Sequence, residues 1–140
     1  MALSEQIVVD TSFLVGLVDS RDTWHISSVA LRDALKPTPA QLVYLDCVVN
    51  ETISVLIRRA QERKRGEELS NLLAHFRDQV PDDLIVWVSA ETQRLYAEIL
   101  KLIQDTAGEL NFHDALIALA CRDLNIGFIA SFDQDFDQIS

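Results

Sequence analysis

The stretch QIVVDTSFLVGLV, residues 6–18, constrains the fold of this chain more than any other. A short apolar run reaches Asp10-Thr11-Ser12, and a second apolar pattern begins at once. Short polar side chains can accept hydrogen bonds from the free N–H groups of a helix's first turn, so this change of period reads as strand, tight turn, helix. Asp10 then stands at the carboxyl end of the first strand, the edge at which open parallel sheets bind their ligands. Considered alone, Asp10 is equally well read as a simple helix cap.

The rest of the chain repeats the alternation. Helices are expected over residues 12–19, from Asp22-Thr23 to Lys36-Pro37, and from Asp46 as cap through the run ending at Arg65, with Gly66 as the stop. Further helices are expected over 67–79, from Ser89 or Ala90 to about Asp105, and over 112–124, with strands over 42–45, 84–88 and 127–130. Strands separated by helices call for right-handed crossovers and a parallel sheet. The 140 residues suit one domain, residues 1–140, that buries roughly two-thirds of its unfolded surface. Cys47 and Cys121 lie in apolar helical stretches without partners at metal-binding spacing, which suits reduced core thiols in the cytoplasm. No apolar run approaches the roughly 18 residues that a bilayer needs, and the N-terminus carries no positive leader, so no membrane association is expected.

A net charge of −10 argues against nonspecific affinity for nucleic acid, which depends on a basic surface. An enzyme of this composition acting on nucleic acid needs cations to offset its acids and a local basic patch. Four acids fall where the topology converges: Asp10 after the first strand, Glu51 in the helix after the second, Asp114 at the start of the last long helix, and Asp133 after the fourth strand. The last helix and strand each cover about 16 Å in opposite directions, which returns Asp133 to the level of Asp114. Helical side chains lean toward their N-terminus, which aims Glu51 back at the same edge. Its neighbours Val48, Val49, Ile53 and Val55 suggest an apolar setting, where an unpaired charge is costly. Carboxylates gathered in this way repel one another unless a hard divalent cation stands between them, and Mg²⁺ or Mn²⁺ suits oxygen ligands of this type. For substrate grip the densest basic run is Arg58, Arg59, Arg63, Lys64 and Arg65, some 10 to 20 Å along the helix from Glu51. Its simpler reading is a solvated helix end.

VVDTS at 8–12, NE at 50–51, FHDALIALA at 112–120 and SFDQDF at 131–136 resemble, in order and spacing, the four acidic motifs of PIN-domain ribonucleases. Within that family the chain is most similar to the small single-domain toxins of the VapC type. The resemblance implies a three-layer α/β/α sandwich around a parallel sheet of four strands, with a fifth in many members; this chain stops four residues after Phe136. It also implies metal-dependent endonucleolytic cleavage of RNA, a cognate antitoxin and a homodimer. Carried over by position, Asp10, Glu51, Asp114 and Asp133 form the acidic quartet, Ser12 supports the first of them, and Asp135 matches an additional acid. SFD stands where the family more often begins its last motif with Thr, and it keeps the hydroxyl.

Other classes fit less well. A phospho-acceptor domain needs two adjacent acids after the first strand and a late Lys, whereas this chain has Val9-Asp10 and no Lys beyond Lys101. A haloacid-dehalogenase-type phosphatase needs a second Asp where Ser12 stands. A PIN-fold enzyme of housekeeping RNA processing and a catalytically silent interaction module both remain compatible with the motifs. The apolar faces of the first two helices serve either as core or as a groove for a partner helix.

Overall fold

The computed structural model describes residues 5–132. Four strands, β1 (Gln6–Val9), β2 (Gln41–Leu45), β3 (Ile85–Val86) and β4 (Phe128–Ala130), form a parallel sheet in the order β3-β2-β1-β4. Between them run α1 (Thr11–Val18), α2 (His25–Leu35), α3 (Asp46–Glu62), α4 (Leu69–Gln79), α5 (Thr92–Asp105) and α6 (Phe112–Asp123).

The strand order dictates the layering. From β1 the chain steps outward to β2 through α1 and α2, and outward again to β3 through α3 and α4; α5 and α6 then return it across the sheet to β4. Right-handed crossovers place the first four helices on one face and the last two on the other, because the direction of travel reverses. The point of reversal is the carboxyl end of β1, between β2 and β4, where a crevice opens. The expected α/β/α sandwich with a four-stranded parallel sheet is what the chain adopts; the segment in which a fifth strand would fall lies outside the described residues.

Val8, Val9, Phe13, Leu14, Leu17, Leu45, Val48, Leu56 and Ile117 form the centre of the main core, and Leu95, Ile99, Ala115, Leu116 and Leu119 a smaller one where α5 meets α6. α1 is buried from Phe13 to Val18, as a helix that is apolar all round must be. The absence of a side chain at Gly16 lets the start of α2 approach α1. A Cβ there would stand 2.4 Å from Ser28 Oγ and 3.2 Å from the Trp24 carbonyl oxygen.

Several local expectations are corrected. Asp22 and Thr23 lie in a turn, and α2 begins only at His25. Asp46 is not a cap but the first residue of α3, and its buried carboxylate accepts the N–H groups of Val88 (2.7 Å) and Ser89 (3.1 Å). Those bonds divert the chain after β3, which shrinks from the expected five residues to two. The stop of α3 is Lys64, not Gly66. Lys64 takes a positive φ of 54°, Arg65 N–H donates to the Ala60 carbonyl (2.8 Å) and Lys64 N–H to that of Gln61 (3.1 Å), a Schellman closure made without glycine.

Candidate active site

The register of the sheet builds the site. Val9 pairs with Ala130, and Asp10 N–H extends the ladder by donating to the Ala130 carbonyl at 2.9 Å. Asp10 and Ser131 therefore leave adjacent strands side by side. Ser131 Oγ donates to Asp10 Oδ2 at 2.8 Å, while Ser12 Oγ lies 3.2 Å from Ser131 Oγ and accepts the Phe132 N–H at 2.9 Å. Ser12 itself is 3.5 Å from Asp10 Oδ2, so it supports Asp10 chiefly through Ser131 and the chain after β4.

Asp114 enters the same crevice from α6. Asn111 caps that helix, its Oδ1 accepting the Asp114 N–H at 2.9 Å, which holds the carboxylate in the first turn where the helix dipole favours negative charge. Asp10 and Asp114 retain only 4% and 6% of their surface. Glu51 completes the cleft from α3, and here the expectation of an apolar setting is corrected: its side chain is 46% exposed. Thr11 Oγ1 donates to Glu51 Oε2 at 2.9 Å, and His113 Nε2 lies 2.6 Å from the same oxygen without the alignment of a hydrogen bond. Asp133 and Asp135 lie outside the described residues.

A cleft of about 430 Å³ is lined by Asp10, Thr11, Ser12, Glu51, Asn111, His113 and Asp114, together with Asp22, Trp24, Arg58 and Arg59. The basic run is thus closer to the acids than its sequence position suggested, and it is divided in its work. Arg59 donates to Asp22 (2.6 Å) and Asp19 (3.1 Å), Arg63 to Asp19 (3.2 Å), and Arg65 to Glu68 (3.1 Å). Only Arg58 and Arg59 of the run reach the cleft.

Carboxylate oxygens held by neutral hydroxyls are donors of the kind that Mg²⁺ or Mn²⁺ takes, and one or two such groups with waters suffice for an octahedral ion. Among the described residues no three His, Cys, Asp or Glu side chains are clustered tightly enough to enclose a metal ion. Asp10 and Asp114 fit a site of the first kind, not a dedicated cage.

Sequence reasoning missed Thr11, Asn111, Asp22 and Trp24 as cleft residues. Thr11 and Asn111 adjoin acidic motifs and could have been found by asking what orients each acid. Asp22 and Trp24 carry no local signal, because the packing of α2 against α1 brings them there.

No curated protein matches the chain by sequence. Among solved structures, the sarcin-ricin loop cleaving toxin VapC20 of Mycobacterium tuberculosis superposes with a TM-score of 0.71 at 24% identity, over 94% of this chain and 93% of that one, and shares its fold. The PIN domain profile matches residues 7–140, with the β1 edge and the last acidic motif both inside the match. The chain belongs to the PIN domain family.

Proposed function

We propose that this protein is a divalent-metal-dependent endoribonuclease that hydrolyses RNA phosphodiester bonds and acts as the toxin of a toxin–antitoxin pair. The observation that carries the reading is the pair of almost fully buried carboxylates, Asp10 and Asp114, brought to one cleft at the point where the sheet reverses. Family membership and the likeness to an RNA-cleaving toxin support RNA as substrate and an antitoxin as partner. A homodimer is proposed as well, as the resemblance to VapC-type toxins implies. No helix among the described residues is long and apolar enough to cross a membrane, in keeping with work in the cytoplasm.

Asp10 and Asp114 would hold the metal, with Asp133 as third ligand, Glu51 sharing the site and Asp135 as an outer acid. A Mg²⁺ or Mn²⁺ ion held there would supply Lewis acidity, activating water and offsetting charge on the phosphoryl oxygens. The chain's own part is positional. Ser131 fixes one oxygen of Asp10 and Asn111 fixes the turn that carries Asp114. Ser12 ties the segment after β4 to α1. Thr11 holds Glu51 at the rim, beside His113, where its carboxylate can orient water. No side-chain nucleophile is required.

Purified protein incubated with total RNA is expected to cleave it with Mn²⁺ or Mg²⁺ and to stop on addition of EDTA. Cleavage that persists in EDTA, or that survives Asp10→Asn, overturns the assignment.

A further inference from the structure

The cleft carries a side chain that hydrolysis does not need. Trp24 is 44% exposed and lines the cleft with Asp10, Glu51 and Asp114. Its ring lies parallel to that of Phe132, 4.6 Å between centroids and 5° between planes. Phe132 therefore covers one π face, while Trp24 keeps part of its surface exposed.

The residue that carries the indole is also held in place. The Trp24 backbone N–H donates to Asp22 Oδ2 at 2.9 Å, and the other oxygen of Asp22 takes the Arg59 guanidinium at 2.6 Å. His25, the next residue, places Nδ1 2.8 Å from the Gly16 carbonyl oxygen. Both ends of the segment are thus tied to α1 and α3, and Phe132 is tied to Ser12. Arg58 lines the same cleft and makes no ion pair among the described residues. A fixed aromatic face beside an uncommitted guanidinium is what a single-stranded nucleic acid requires of a surface, since every base has a face to stack and every phosphate a charge.

We propose that Trp24, backed by Phe132, is a stacking platform that holds one base of single-stranded RNA in the cleft, while Arg58 takes a neighbouring backbone phosphate. This rests on the reading of the protein as a ribonuclease and deepens it. An acidic protein with few cationic contacts gains affinity from stacking that salt does not screen. Trp24 then binds and positions the strand so that a phosphodiester lies over Asp10 and Asp114.

The test separates base from backbone. The Trp87→Phe background leaves Trp24 as the sole tryptophan. In Ca²⁺, oligoadenylate is expected to quench its fluorescence, whereas an abasic ribose-phosphate strand of equal length is not. Trp24→Ala should weaken oligoadenylate binding roughly 5- to 150-fold and leave the abasic strand unchanged, with Trp24→Phe retaining most of the affinity. Arg58→Ala should weaken both strands alike and flatten the salt dependence by about 0.7 in log–log slope. In Mg²⁺ the Trp24→Ala enzyme should show a raised KM with kcat near that of the wild type. Equal loss for both strands, or no loss for either, overturns the platform; a disrupted cleft would give the first and an antitoxin-docking tryptophan the second. If the wild type cleaves RNA and Trp24→Ala behaves as above, both proposals stand. If the wild type cleaves but shows no base-dependent effect, only the platform falls, and if it neither binds nor cleaves RNA, both fall.

Discussion

Two groups of carboxylates around α1 and α3 are held in opposite ways. In one, Asp19 and Asp22 are nearly buried and each accepts a guanidinium, Arg59 serving both and Arg63 adding to Asp19. In the other, Asp10 is as deeply buried but is held by the Ser131 hydroxyl, and Glu51 by that of Thr11. A hydroxyl fixes an oxygen without cancelling its charge; an arginine does both. The first group is therefore closed by arginines, whereas the hydroxyl bonds to Asp10 and Glu51 do not themselves cancel a charge. The difference teaches which acids to suspect: burial alone does not separate the two groups, and the kind of partner does.

The sharpest way to break this contrast is to neutralise one acid of the cleft and one acid of the arginine-bound group. Asp114→Asn should reduce cleavage by at least about a thousandfold, the scale of losing a charge aimed at the reacting centre, with no loss of thermal stability. Removing negative charge from a crowded edge relieves repulsion, so a small rise in melting temperature is expected. Asp19→Ala should do the reverse. It leaves the Arg59 and Arg63 guanidiniums, about one-third exposed, without their shared acceptor, at a cost of about 2–3 kcal/mol after allowance for solvent screening. The midpoint of urea unfolding should fall accordingly, while kcat of the folded enzyme stays within about threefold of wild type, because no interaction made only in the transition state is removed. A stability loss in Asp114→Asn equal to that in Asp19→Ala would erase the distinction.

Why one group was legible in the sequence and the other was not follows from how each is built. Asp10 ends a strand, Asp114 opens a helix and Glu51 leans from one, so local periodicity placed all three at the sheet edge before any tertiary contact was known. The Asp19–Arg59 pair depends on how α1 and α3 pack, and no short-range pattern encodes that. The same limit explains Trp24. The apolar pattern of the second helix left core and groove both open, and in the structure Ile26 is exposed while Trp24 stacks on Phe132 from the far end of the chain. β3 was misjudged for a related reason: the run Leu84–Val88 has strand composition, but the Asp46 carboxylate claims the N–H groups that would have continued the ladder.

Within the hydroxyl-held group, Ser131→Ala tests whether the neutral donor matters. The change removes the 2.8 Å bond to Asp10 Oδ2 and leaves both the charge and the backbone ladder to Ala130. Loss of an outer partner of this kind typically lowers metal affinity or activity by about tenfold to a hundredfold. Ser131→Thr should restore it, because Thr keeps the hydroxyl. Titration of cleavage against Mn²⁺ distinguishes the effects: weakened metal binding moves the midpoint, whereas a misplaced oxygen lowers the plateau.

A last effect concerns two thiols that read the local field. Burial pushes Cys121 up to about 11, and burial aided by the negative Asp46 and, more weakly, by Glu51 pushes Cys47 up to about 12. Because both folded values exceed that of a free thiol, near 8.5, the unfolded chain loses its protons first as pH rises. Stability contributed by these groups is complete below about pH 8.5 and declines above it, by at most about 1.4 kcal/mol per thiol per pH unit until each folded value is reached. Urea midpoints measured from pH 8 to 10 should show that decline, and Cys121→Ala should reduce its slope. Glu51→Gln should lower the Cys47 value slightly and leave Cys121 where it is, because Glu51 acts on Cys47 alone. Added Mg²⁺ should act in the same direction on Cys47, and by more, since a divalent charge in the cleft offsets more than one carboxylate. Equal responses of the two thiols would mean that the cleft holds no negative field of its own.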